Sequence, residues 1–132
     1  MSRLRYLNLL LLIFALLIPG CTRQSSVGKQ ATAVSVDLNF KPNPPVVGEG
    51  MIYLEVRDQN GQPIKDLDIQ VKGDMTHAGM TPVFGTSTDE GKGRYSIPFE
   101  WTMAGDWILQ IAADLPDGRL LNRSFEARVQ PE

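Results

Sequence analysis

Apolar and polar residues alternate with a period of two along most of the chain beyond residue 32, which is typical of β-strands with one buried face. Six segments show this pattern, and a short additional strand is predicted at 82–85. The six segments are 33–40, 51–56, 64–71, 94–101, 107–112 and 120–129. After the first 20 residues, no stretch has the length and the 3.6-residue period of an amphipathic helix.

Turn-forming sequences separate the predicted strands. Prolines interrupt the alternation at 41–45, an Asn-Gly pair stands at 60–61, and further turns are predicted at 89–93 and 115–118. Short strands at this spacing predict an all-β fold, an immunoglobulin-like antiparallel β-sandwich of about seven strands. Its core is expected to contain the large aromatic side chains Phe40, Phe99, Trp101 and Trp107.

The first 20 residues have the pattern of a secretory signal peptide. Arg3 and Arg5 precede an unbroken apolar run over residues 9–18. A membrane-spanning helix needs about 20 apolar residues, so this shorter run indicates the core of a signal peptide. The residues that follow are small and polar, as in a flexible tether. We therefore divide the chain into a signal peptide at 1–20, a tether at 21–31 and a folded domain at 32–132.

The end of the signal segment, Pro19-Gly20-Cys21, resembles the lipobox of bacterial lipoproteins. The resemblance implies cleavage before Cys21, acylation of its thiol with palmitate-like chains, and anchoring in a membrane. It further implies a place in the bacterial cell envelope, facing the periplasm or the outer surface. Thr22, in place of an aspartate, favours the outer membrane if the host is Gram-negative. The alternatives are an ordinary signal peptide with an unmodified cysteine, or an uncleaved anchor.

Composition and charge exclude several classes of function. The chain has 132 residues, enough for one ordinary domain, and 42% of them are hydrophobic, too many for a disordered chain. A net charge of −2 argues against nucleic acid as a partner, because phosphate binding needs a basic face. One Cys and one His exclude a disulfide framework, a Cys-rich metal cluster and a multi-His site within one chain. We expect no enzyme, because nucleophile and phosphate-loop motifs are absent.

One stretch of the sequence suggests binding chemistry. Met75, His77 and Met80 lie within six positions between two predicted strands. Thioether and imidazole donors together favour Cu(I) over calcium, magnesium or zinc. An extended backbone would put Met75 and His77 on one side, and Gly79 would let the chain turn and return Met80 toward them. Met103 is a candidate fourth ligand, provided that its turn lies at the same end of the sandwich.

The region from Asp37 to Arg128 resembles the YtkA-like (FixH-like) domain of bacterial envelope proteins. The resemblance rests on the Met/His stretch at 75–80 and on a second block, which has Gly-Arg-Tyr at 93–95 and Met-Ala-Gly-Asp-Trp at 103–107. It implies an immunoglobulin-like sandwich without catalytic apparatus. For some members it also implies copper handling or the supply of copper to respiratory oxidases.

Two functional hypotheses follow. In the first, the lipid-anchored domain holds Cu(I) through His77, Met75, Met80 and Met103 and passes it to an acceptor protein. In the second, the domain is a metal-free interaction or structural module of the cell envelope, and the Met/His stretch serves as an apolar contact surface or as core packing.

Overall fold

Two four-stranded antiparallel sheets make up the part of the chain that the computed structural model describes, residues 33–77 and 79–132. One sheet has the strand order β1-β2-β6-β5, and the other has the order β4-β3-β7-β8. The strands are β1 Ser35–Lys41, β2 Gly48–Arg57, β3 Ile69–Met75, β4 Val83–Thr86, β5 Thr88–Gly91, β6 Arg94–Trp101, β7 Gly105–Asp114 and β8 Leu120–Val129. Among these residues there is no helix with the length and apolarity needed to cross a membrane.

The core lies between the two sheets and is built by the predicted alternation. On β2, β6 and β7, every second side chain is buried, while most of those between them remain at least partly accessible. Trp101 and Trp107 are each 1% exposed and Phe99 is 4% exposed, while Phe40 packs partly buried against them. The predicted all-β sandwich and its aromatic core are therefore confirmed.

The strand count is eight in the described residues, rather than about seven, because β5 occupies a segment that the sequence indicates as a turn. Residues 88–91 pair with β6, and the turn is confined to Gly91, Lys92 and Gly93, which all have positive φ angles. Three successive left-handed residues reverse the chain within a very short length, which leaves the polar residues before them free to pair.

The third predicted strand begins later than the sequence indicates. The turn at Asn60-Gly61 does reverse the chain, and the amide of Ile64 donates to the carbonyl of Val56. Pairing stops there, and β3 begins only at Ile69 in the opposite sheet and continues to Met75. Residues 64–68 thus cross between the sheets. Their apolar side chains, Ile64 and Leu67, pack on the core, which explains their strand-like pattern.

The two ends of the sandwich carry different connections. One end holds the start of β1 and the connections at 58–68, 92–93 and 115–119. Ala33, the first described residue, lines a cavity at this end together with Asp58 and Leu115. We call it the entry end. The opposite end holds the connections at 42–47, 76–82 and 102–104.

Candidate metal centre

All four ligand candidates lie at the end of the sandwich opposite the entry end. β3 pairs antiparallel with β7, with Met75 opposite Trp107, so the end of β3 lies beside the start of β7. The connection that carries His77 and Met80 therefore lies next to the turn that carries Met103. The turn that carries Met103 thus lies at the same end of the sandwich as the other three candidates, as its role as a fourth ligand requires. We call this end, defined by Met75, His77, Met80 and Met103, the Met/His end.

Met75 is the last residue of β3, rather than a loop residue, and its side chain is 8% exposed within the core. A Cβ on Gly105 would lie 3.0 Å from Cε of Met75, and Gly105 has a φ of 132°. The thiomethyl group of Met75 therefore packs against the bare backbone at the start of β7. Gly105 provides both the space for this contact and the left-handed backbone that the turn requires.

Met103 lies in the connection between β6 and β7, and its side chain is 48% exposed. Its carbonyl accepts a hydrogen bond of 3.0 Å from the indole Nε1 of Trp107. The amide of Thr76 donates to the carbonyl of Asp106 over 3.3 Å, which extends the pairing of β3 with β7 by one residue. The backbone of this turn is thus fixed on both sides, while the thioether of Met103 stands partly in solvent.

His77 and Met80 occupy the connection after β3. Pairing with β7 ends at Thr76, so the strand alternation that would put His77 on the same side as Met75 does not continue, and His77 is exposed. Gly79 has a φ of 90°, as expected for a turn at this point, and Met80 packs partly buried against the core. Ala78, between them, lies outside the described residues.

Beneath the Met/His end lies a cluster of four aromatic rings. Trp101 and Trp107 meet edge to face with ring centroids 5.4 Å apart. Phe99 and Phe40 contact Trp101 in the same manner, at 4.8 Å and 5.7 Å. Edge-to-face contacts of buried rings are favourable and geometrically specific. The sequence indicates these residues only as core, whereas the structure gathers them under the candidate ligands.

The charged groups near this end are on the surface. Arg128 and Asp106 form an ion pair of 3.0 Å between largely exposed side chains, and Lys72 lies 3.5 Å from Asp74. Within the described residues, no group of three or more His, Cys, Asp or Glu side chains is arranged to hold a metal ion. The donors at this end are three thioethers and one imidazole, which is a soft set suited to Cu(I).

The lipidation site and the signal peptide lie outside the described residues. Cys21 and the segments 1–20 and 21–31 therefore remain predictions of the sequence.

The contribution of Trp107 to this site was not predicted from the sequence. Its indole bond to the carbonyl of Met103 joins residues four positions apart. The sequence feature that could have indicated this bond is the block Met103-Ala104-Gly105-Asp106-Trp107. This block contributes to the family resemblance, and turn formation at Gly105 and core packing of Trp107 are sufficient to explain it from the sequence.

Comparison with known proteins gives a family and a fold. The YtkA-like family matches residues 28–112, which include all four ligand candidates. The filamin domain of Lin-41 aligns with a TM-score of 0.54 at 18% identity, over 78% of this chain and 97% of that domain. The soluble domain of PmoD from a Methylocystis species aligns with a TM-score of 0.48 at 11% identity, over 73% of this chain and 90% of that domain. No curated protein matches this chain.

Proposed function

Because this chain belongs to the YtkA-like family, we propose that it is a non-catalytic module of the bacterial cell envelope that binds Cu(I) and delivers it to an acceptor protein. The ligands are Met75, His77, Met80 and Met103. One observation carries the proposal: two segments that are distant in sequence bring a buried thioether, Met75, against the turn that bears a half-exposed one, Met103. The only imidazole of the chain follows two residues after Met75.

The graded exposure of the donors supports exchange of the ion rather than permanent storage. Met75 is buried, Met80 is partly buried, Met103 is 48% exposed, and His77 is exposed. An ion held by this set lies at the boundary between core and solvent, where an incoming ligand from another protein reaches it. Exposed donors are replaced first, and the buried thioether is released last.

Anchoring through Cys21 is the second part of the proposal. The apolar segment 9–18 and Pro19-Gly20-Cys21 support cleavage before Cys21 and attachment of the mature chain to a membrane through its lipid. The domain then faces the periplasm or the outer surface, with the outer membrane favoured if the host is Gram-negative. The partners are the membrane itself and a copper-accepting envelope protein.

The deciding experiment is a Cu(I) titration in competition with a chromophoric Cu(I) chelator under reducing conditions. The titration uses a form of the protein that begins at Thr22, which retains every described strand. We expect one Cu(I) per chain. His77→Ala combined with Met80→Leu is expected to abolish binding and to leave the fold intact, since His77 is exposed and Met80 only partly buried. Circular dichroism and thermal unfolding check the fold.

Met51→Leu provides the matched control. Met51 lies on β2 between residues that face the core, so its side chain points to the outer face of the other sheet, away from the candidate ligands. Methionine and leucine have similar volumes, so both substitutions preserve packing. Cu(I) binding equal to wild type in the His77/Met80 double variant would refute this ligand assignment.

Phe84 favours the second function, a metal-free interaction module. This side chain is 71% exposed on β4, an edge strand of its sheet, although phenylalanine is normally buried. Crosslinking in envelope preparations from a photoreactive residue at position 86, which is exposed on the same face of β4 as Phe84, tests this function. Loss of a specific crosslinked partner on substitution at Phe84, combined with no Cu(I) binding by the wild type, would favour this alternative.

A further inference from the structure

Trp107 makes two contacts that join the methionine-bearing segments of the Met/His end. Its backbone lies opposite Met75 in the pairing of β3 with β7. Its indole N–H donates to the carbonyl of Met103 over 3.0 Å. Trp107 thus connects the turn after β6 to the end of β3.

The indole N–H is buried with its side chain. Trp107 is 1% exposed, so water has little access to its N–H, which bonds instead to the carbonyl of Met103. The other buried tryptophan, Trp101, belongs to the same aromatic cluster, with its ring 5.4 Å from that of Trp107. Size and aromatic packing are therefore common to both residues, whereas the bond to Met103 is specific to Trp107.

We propose that Trp107 is a positioning residue for copper binding, and that its indole N–H holds the turn so that the thioether of Met103 meets that of Met75. This inference rests on the proposed function, because it assigns Trp107 a role at the same site. The side chain of Met103 is 48% exposed, so the position of its thioether depends on that of its backbone. Trp107 acts through that backbone and does not touch the ion.

The test compares Trp107→Phe with Tyr95→Phe in the Cu(I) competition titration. Phenylalanine keeps a ring and removes the N–H. We expect Trp107→Phe to weaken Cu(I) binding about fivefold, the effect of one neutral hydrogen bond on an equilibrium. Tyr95→Phe, which removes a buried hydrogen-bonding hydroxyl at the entry end, is expected to destabilise the fold and to leave the affinity unchanged.

A double-mutant cycle with Met103→Leu separates positioning from general destabilisation. If Trp107 acts through Met103, Trp107→Phe has no further effect on affinity once the thioether of Met103 is absent. A purely structural role would lower the affinity equally in both backgrounds. If Trp107→Phe does not fold, site-specific replacement by benzothienylalanine, which keeps the shape of indole without its N–H, takes its place.

NMR of the methionine methyl groups in the metal-free protein reports on the surroundings of the Met103 side chain without copper. The Met103 methyl signal is expected to shift and sharpen in Trp107→Phe, and that of Met51 is expected to stay in place. Wild type that binds no Cu(I) would refute the proposed function and the role of Trp107 together. Wild-type binding with unchanged affinity in Trp107→Phe would refute the positioning role alone.

Discussion

At the scale of single residues, one buried hydroxyl holds the crossing between the two sheets. The Tyr95 hydroxyl donates to the carbonyl of Ile64 over 2.8 Å and accepts from the amide of Leu67 over 3.3 Å. Both partners lie in the segment that leaves one sheet and enters the other, where no strand neighbour is available to them. Burial of the phenol raises the pKa of Tyr95 above its ordinary value, and the negative charges of Asp89 and Asp66 raise it further. The hydrogen bond from the amide of Leu67 lowers the pKa, but by less than burial raises it.

We predict that Tyr95→Phe lowers the free energy of unfolding by about 1–3 kcal/mol, because two buried backbone groups lose their partner. Urea unfolding at neutral pH measures the loss. Tyr53→Phe, on the outer face of β2, is the control and is expected to change stability little. Equal stability of wild type and Tyr95→Phe would show that the crossing is held by other contacts.

The raised pKa of Tyr95 also predicts how the stability of the wild type depends on pH. The unfolded phenol ionises near pH 10, whereas the folded phenol keeps its proton to higher pH. The stabilisation is therefore present below about pH 10 and is lost as the pH rises through the folded-state pKa. Urea unfolding at several pH values should show a steeper alkaline loss in wild type than in Tyr95→Phe, and identical slopes would contradict this.

At the scale of elements, two glycines that face the core allow the two sheets to pack closely together. Gly73 on β3 faces the core, and a Cβ at this position would lie 2.5 Å from Cζ of Phe99 and 3.1 Å from Cδ2 of Leu109. Gly85 on β4 is similar, since a Cβ there would lie 2.6 Å from Cγ2 of Ile97. These contacts join β3 and β4 of one sheet to β6 of the other.

We predict that Gly73→Ala destabilises the domain by about 1–3 kcal/mol, since an added methyl group overpacks a well-filled core. Urea unfolding gives the value. Phe99→Leu removes the ring atom that the new methyl group would meet, so the double variant should lose less stability than the sum of the two single variants. If the stability losses of the two single variants add exactly in the double variant, the close approach to Phe99 is not the cause of the destabilisation by Gly73→Ala.

At the scale of the whole molecule, the start of β1 and the ligand candidates lie at opposite ends of the sandwich. β7 has ten residues and runs from the Met/His end to the entry end, and a strand rises by about 3.3 Å per residue. If the chain is attached to a membrane through residues before Ala33, the entry end is the end nearer the attachment. The Met/His end then lies about 30 Å from the entry end, on the side where an acceptor protein can reach it.

This arrangement is tested by energy transfer to labelled lipids. A form beginning at Thr22 carries an N-terminal hexahistidine bound to nickel-chelating lipids, and a dye is attached at Thr102→Cys or at Asp117→Cys. The only natural cysteine, Cys21, is absent from this form, so each variant carries one label. Transfer to headgroup acceptors is expected to be stronger from position 117, at the entry end. Equal or reversed efficiencies would contradict the orientation.

Local pattern by itself determined most of the scaffold. The alternation at 94–101 and 120–129 predicted β6 and β8 at the bounds that the structure has, because a strand with one buried face repeats every two residues whatever its partner is. The aromatic core followed in the same way, since large apolar side chains on such a face are buried. The family was also recognisable from the sequence, through the Met/His stretch and the block that ends at Trp107.

Only the tertiary structure decided which segments meet. The crossing at 64–68 has the pattern of a strand in sequence, and in the structure it is hydrogen-bonded to Tyr95, which is far along the chain. The burial of Met75, its contact with Gly105 and the bond from Trp107 to Met103 likewise arise from the pairing of β3 with β7. The sequence therefore identified the candidate ligands and most of the strands. Their common end depended on pairing between distant segments, which a local periodicity does not encode.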